Sequence, residues 1–273
     1  MRSARPGLAL NAAVAAVAVI TLVPLLWMVS ASFMAPGAAN TMPPPLLPVK
    51  PTLEHYVALF TRLNLLRNFL NSLLISTVTT LISLFINALA GYAFAKLRFG
   101  GRDRVFQLLV VGLVVPAQVG MLPLFLMVRG MGLVNTPWGV MIAALASIFG
   151  IFMIRQYALG IPDELLDAAR VDGASEFLIF RRIVLPLLRP ILVTLAAFSF
   201  LGTWNDFLWP LIVLSDESKS TLPVALASLV GEHVLDTELM MAGAVVTVVP
   251  VLILFLVLQR SYIRGVLMGS VKG

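Results

Sequence analysis

The chain has 273 residues, 60% of them hydrophobic and only 12% charged, with a formal net charge of +6 and no cysteine. A soluble domain carries about 25% charged residues, so this composition excludes a soluble enzyme or a disordered chain and leaves an integral membrane protein. The lack of cysteine removes disulfides and thiolate metal sites, and two distant histidines, His55 and His233, do not by themselves make a zinc or haem site.

A membrane helix needs about 20 apolar residues. Six runs meet that need, over Leu8–Phe33, Phe69–Phe94, Val105–Val128, Trp138–Ala158, Ile191–Val213 and Met240–Leu258. The first is preceded by Arg2 and Arg5 and followed by Ser30-Ala31-Ser32, as a cleaved signal would be. A signal core is usually 7–15 residues and this run is about 25, which favours a retained helix.

Six spans put both termini on one side. The termini, the Lys96–Arg104 loop and the Arg155–Arg189 segment together hold 14 of the 19 Lys and Arg; the other side has Lys50, Arg62, Arg67, Arg129 and Lys219. Basic residues beside a span resist translocation, so the basic side is expected in the cytoplasm, and nucleic acid is not the reason for the positive charge. Pro24, Pro116, Pro123, Pro210 and Pro250 fall inside spans. Each removes a backbone hydrogen bond, so bent helices are expected, either as packing detail or around a pathway.

Between the first two spans, Ala35–Arg67 carries Pro36, Pro43, Pro44, Pro45, Pro48 and Pro51, which favour stiff, extended chain. Leu53–Phe60 then reads as a short amphipathic helix capped by Thr52.

The link between the fourth and fifth spans, Gly160–Arg189, is about 30 residues, against the usual 2–8 between packed helices. Pro162 suits the first helical position, Asp163 and Glu164 suit the first turn, and Leu165, Leu166 and Ala169 share a face. Gly173 is placed to stop that helix. A second helix starts near Ser175, with Phe177, Phe180 and Val184 on one face, before Pro186 and Pro190. This is a helical hairpin that either covers the bundle ends at the lipid surface or docks a cytoplasmic partner through Ala168, Ala169, Gly173 and Ala174.

Asp167-Ala168-Ala169, then three residues, Gly173, nine residues, and Ile183-Val184-Leu185-Pro186 reproduce the spacing of the EAA motif. That motif marks the permease subunits of binding-protein-dependent ABC importers; the family's usual Glu is Asp167 here. Asn68-Phe69-Leu70-Asn71-Ser72, Pro123-Leu124-Phe125, Gly132-Leu133-Val134-Asn135-Thr136, Trp204–Pro210, Thr221–Leu226, Gln259-Arg260 and the Gly269–Gly273 ending narrow the match. Over essentially its whole length the chain resembles the MalG-type subunits of carbohydrate importers.

The resemblance implies an all-α, six-span permease fold of the type I importers, one transmembrane domain over 1–273, in the cytoplasmic (inner) membrane with both termini inside. It implies a second, MalF-like six-span permease, a cytoplasmic ATPase dimer and an extracytoplasmic sugar-binding protein as partners. ATP and Mg belong to the ATPase; this chain binds no cofactor or metal and is not an enzyme. In agreement, no Gly-Lys pair marks a phosphate-cradling loop and no Ser/His/Asp set is within reach. The ATPase-coupling segment becomes Asp167, Ala168, Ala169, Asp172, Gly173, Ile183, Leu185 and Pro186. The tail from Ser261 is either a frayed end or a contact toward the ATPase interface.

Asp206 is the one acid in an expected span and should face water or a partner. With Trp204, Asn205 and Trp209 it offers aromatic faces and polar groups suited to a sugar; alternatively Asp206 caps a helix and the indoles belong to the interfacial belt. Asn71, Ser72 and Gln118 are further pathway candidates. An ion- or proton-coupled carrier would show paired intramembrane charges or internal repeats, which are missing here. An importer permease for a non-sugar solute shares the EAA signal; Trp204–Pro210 and Gly269–Gly273 favour carbohydrate.

Overall fold

The protein is described by a computed structural model covering residues 6–61, 64–232 and 236–270. Arg2, Arg5, Arg62, His233 and Lys272 lie outside the described residues, and beyond Gln259 only backbone is described. Among the described residues the chain is helical, with no strand.

The chain divides into two compact units, Met1–Leu66 with Ala225–Pro250, and Arg67–Val224 with Val251–Gly273. In the first, α1 (Pro6–Ala31) is apolar on every side and runs unbroken through Pro24. Its apolar stretch, Leu10–Ala31, is 22 residues, exposed over most of its length and buried at Ala31, about 33 Å at 1.5 Å per residue and thus a full membrane crossing. The loop beyond it is tied down at several points. The buried His55 imidazole donates from Nε2 to the Met34 carbonyl at 2.9 Å, and the buried Glu238 carboxylate accepts the Ala39 amide at 2.7 Å. The expected short helix forms as α2 (Glu54–Thr61), with the Thr52 hydroxyl accepting the Glu54 amide.

The second unit is organised on α3 (Leu65–Lys96). Leu70, Leu74, Leu81 and Phe85 are exposed while Ser72, Ser76, Thr79, Thr80, Ser83 and Asn87 are buried. Polar residues every three or four positions line one side of this helix, so its inward face is its hydrophilic one, the inverse of a soluble amphipathic helix. Ser72, Ser83 and Asn87 find hydrogen-bond partners on this face, whereas the hydroxyls of Ser76, Thr79 and Thr80 are buried without one among the described residues.

The third and fourth spans are broken. α4 (Arg102–Val111) and α5 (Met121–Gly130) belong to two arms bent by 103° around Pro116. α6 (Pro137–Met141) and α7 (Ile148–Leu159) belong to arms bent by 42°. No proline marks this second break. Ser147 makes it, accepting the Gly150 amide through its hydroxyl, while Asn87 Oδ1 accepts the Ser147 amide at 3.1 Å. α7 lies close on α3: a Cβ on Gly91 would sit 2.6 Å from Ile154 Cγ2, and one on Gly150 would sit 2.6 Å from Asn87 Nδ2.

α8 (Asp163–Val171) and α9 (Glu176–Ile179) form the expected hairpin. A π-turn over Phe180–Val184 and α10 (Leu185–Leu187) lead into α11 (Arg189–Trp204), bent by 78° from the preceding arm. The fifth apolar run therefore does not continue as one helix: it stops at Trp204 and resumes as α12 (Leu208–Val213). α13 (Leu222–Glu232) and α14 (Thr237–Ser270) complete the chain, α14 passing through Pro250 without a break. Among the described residues three helices are long and apolar enough to cross a membrane, or up to six spans result if each bent pair counts as one.

Candidate coupling hairpin and translocation groove

The hairpin is short because its turn is closed by backbone chemistry. The Ala174 amide donates to the Ala169 carbonyl and the Gly173 amide to the Arg170 carbonyl, at 2.9 and 3.0 Å, with Gly173 at φ +81°. This is the Schellman ending, whose left-handed position favours glycine. Pro162 precedes α8 as its cap and is not its first helical residue. Ser175 caps α9 by accepting the Leu178 amide.

Leu166, Ile179, Phe180, Val184 and Leu188 are buried in one cluster with Tyr92 and Ile154, and Ala169, Ala174, Ile183 and Leu185 pack against it. Leu165 and Phe177 turn outward instead. The EAA-like residues thus divide. Asp167, Ala168, Asp172, Gly173 and Pro186 are exposed; Ala169, Ile183 and Leu185 are half-buried on the core side. A Cβ on Gly173 would meet nothing within 4 Å, so the space beside the turn is open.

Four residues that sequence reasoning passed over hold the hairpin in place. Arg170 donates to Glu176 at 2.7 Å and to Asp167 at 2.6 Å, and the Tyr92 hydroxyl donates to Glu176 at 2.8 Å. The buried Lys96 ammonium donates to Asp163 and to the Ile161 carbonyl, both at 2.6 Å. Both bridges end on α3. The Arg170 hydrogen bond holds the Glu176 carboxyl below its usual range, aided by the Tyr92 hydroxyl, and Lys96 does the same for Asp163. Glu176 and then Asp167 push the Arg170 guanidinium further toward its charged form. The available signal was the i, i+3 pair Asp167/Arg170 and a Glu in the first turn of α9.

The pathway candidates also divide. Trp204 is fully buried, edge-on to Phe69 and stacked on Phe200. Trp209 is buried too, its indole N–H donating to the Gly139 carbonyl. Asp206 stands just before the cap residue of α12 and accepts the Trp209 amide at 3.3 Å. Asn71 donates to the Ser218 and Ser220 carbonyls, and the Ser72 hydroxyl accepts the Leu222 amide at 2.7 Å, so both staple a loop. Gln118, Asn205, Asp206 and Trp209 line a cleft of about 540 Å³. It shares Ala143, Ala144, Gly202 and Thr203 with a second cleft of about 320 Å³ lined by Ser83, Asn87, Ser147, Phe149, Phe198 and Ser199. The two make one groove along α11, walled by hydroxyls, amides and two exposed phenyl rings. Its deeper half was not legible in sequence, because isolated Ser and Thr in membrane helices carry no pattern of their own.

The sequence profile of the family described as binding-protein-dependent transport system inner membrane component matches residues 87–267, most of the chain and all of the hairpin. The chain belongs to that family. Among its relatives is the arabinooligosaccharide transport permease AraQ of Halalkalibacterium halodurans, 40% identical over 264 residues, covering 94% of this chain and 93% of the relative. The diacetylchitobiose uptake permease NgcG of Streptomyces coelicolor is 32% identical, covering 93% and 85%. In three dimensions the chain is similar to a subunit of a bacterial ABC transporter involved in the import of the acidic polysaccharide alginate, with a TM-score of 0.83 at 26% identity, covering 95% and 98%. The all-helical architecture is therefore that of an ABC importer permease, and this permease is an inner-membrane component of such a system.

Proposed function

We propose that this permease is the membrane-spanning subunit of a carbohydrate importer, moving a sugar or related polyol by alternating access on energy from ATP hydrolysed in a partner. The hairpin carries the reading: an exposed turn at Ala168 and Gly173, continuous with a buried cluster that reaches three helices. A partner that prefers one position of such an element biases the whole assembly. The relatives named for arabinooligosaccharides and diacetylchitobiose support carbohydrate as the cargo class. The groove suits a polyol, since Phe149 and Phe198 offer apolar faces and Ser147, Ser199, Thr203 and Asn205 offer hydrogen bonds.

In this reading the six spans form one permease domain with both termini and the hairpin cytoplasmic, as the basic excess on that side argues. A cytoplasmic ATPase dimer, holding ATP and Mg, grips Asp167, Ala168, Asp172, Gly173 and Pro186. Ala169, Ile183 and Leu185 pass its motion inward. A second permease completes the pathway and an extracytoplasmic binding protein delivers the sugar. The test is uptake by vesicles holding the assembled importer, with a panel of labelled oligosaccharides. Uptake is expected with ATP and binding protein together; uptake driven by a proton or sodium gradient without ATP overturns the reading.

A further inference from the structure

The segment that follows α1 combines features that a water-exposed loop does not need. Five of the nine residues from 43 to 51 are proline, so more than half of this stretch has no N–H to satisfy. Two of its carbonyls are already taken by α1: the Trp27 indole N–H donates to the Pro45 carbonyl at 3.1 Å, and the Ser30 hydroxyl donates to the Leu46 carbonyl at 2.6 Å. Yet Met42 is 99% exposed, Val49 89%, Leu46 75% and Leu47 74%. The loop is also held stiffly, by the Thr52 amide on the Phe33 carbonyl and by the Glu238 carboxylate on the Ala39 amide.

The position of those hydrogen bonds sets a depth. Trp27 and Ser30 lie inside the apolar stretch Leu10–Ala31, Trp27 being about 6 Å before its end at 1.5 Å per residue. The loop therefore folds back beside the last turn and a half of the span. A backbone can enter the edge of a bilayer only if its polar groups are absent or paired. Here proline removes donors and α1 supplies partners for the Pro45 and Leu46 carbonyls. A Trp at this level is at home in the interfacial belt, and Lys50 is placed to reach a lipid phosphate while its stem stays apolar.

We propose that Met42–Val49 is an interfacial lipid anchor, with Leu46 and Leu47 seated among acyl chains at the membrane edge and Met42 and Val49 flanking them. The proposal needs α1 to span the membrane and does not depend on which solute is carried. A rigid wedge at this place fixes the depth of the α1 end in the membrane.

The absence of cysteine makes the test direct. Leu46→Cys, Leu47→Cys, Met42→Cys and Val49→Cys, each carrying a nitroxide, are compared in the assembled importer in phosphatidylethanolamine–phosphatidylglycerol vesicles. Glu217→Cys serves as the exposed loop reference. Collision with oxygen, which partitions into lipid, is measured against collision with a water-soluble nickel chelate. Labels at 46 and 47 are expected to show an oxygen-to-nickel ratio several-fold above that at 217, with 42 and 49 intermediate. A ratio equal to that at 217 places the loop in water and overturns the proposal. Labels shielded from both reagents place it against a protein partner and overturn it equally. Retained ATP-driven uptake by the labelled importers shows that the fold is intact, so a failed anchor is separable from a failed transporter.

Discussion

At the scale of single residues, the Tyr92–Glu176–Arg170 chain is the feature most open to test. Loss of one neutral hydrogen bond costs about 1 kcal/mol and loss of one to a charged group about 1.5–3 kcal/mol, before solvent screening of the half-exposed Arg170 reduces it. Tyr92→Phe should therefore leave the protein folded and in the membrane but loosen the hairpin against α3. The expected outcome is ATP hydrolysis that continues while sugar moved per ATP falls; an unchanged ratio would show that this bridge carries no motion. The direction of the pH effect follows from the same contacts. The carboxyls of Glu176 and Asp163 are held below their ordinary values by Arg170 and Lys96. Their stabilisation is complete above the unfolded value and is lost as pH falls through the folded one. A nitroxide at Val171→Cys should thus keep the same mobility from about pH 8 down to the ordinary carboxylate range near 4, and become mobile only below it.

At the scale of elements, the glycines separate packing from function. Gly91 lies against Ile154 and the Arg155 amide with no room for a methyl group. Gly91→Ala should part α3 from α7 at a cost of about 1–3 kcal/mol, read as a lower midpoint of thermal unfolding in detergent. Gly202 faces the open groove with nothing within 4 Å of a Cβ. Gly202→Leu should unfold at the temperature of the parent yet slow uptake, and normal uptake would remove the groove from the pathway. Gly173 is a third case. Its φ of +81° strains any side chain, but the space around it is empty. Gly173→Trp should reach the membrane and abolish transport by blocking the ATPase, whereas full transport would count against docking at this turn.

For the molecule as a whole, length and composition already settled that the chain lives in a membrane, and hydropathy placed six runs, of which the apolar spans of α1, α3 and α14 follow three closely although α14 itself continues to Ser270. The stop and start signals at Gly173 and Ser175 located the hairpin to within a residue, since helix stops and caps are local chemistry written in a few adjacent side chains. What local chemistry does not encode is which groups meet across the fold. Pro24 and Pro250, where bends are expected, lie inside continuous helices, while Ser147 looked ordinary and breaks the fourth span because Asn87, 60 residues away, takes its amide. Trp204 looked like a sugar platform and is a core residue, because Phe69 and Phe200 close over it. The sequence by itself determined the solvent, the number of apolar runs and the turn chemistry, all of which depend on neighbours along the chain. Only the tertiary structure decided the groove, the Lys96 and Tyr92 bridges and the inward polar face of α3, because a buried hydroxyl or charge acquires its role from partners that sequence order does not bring near.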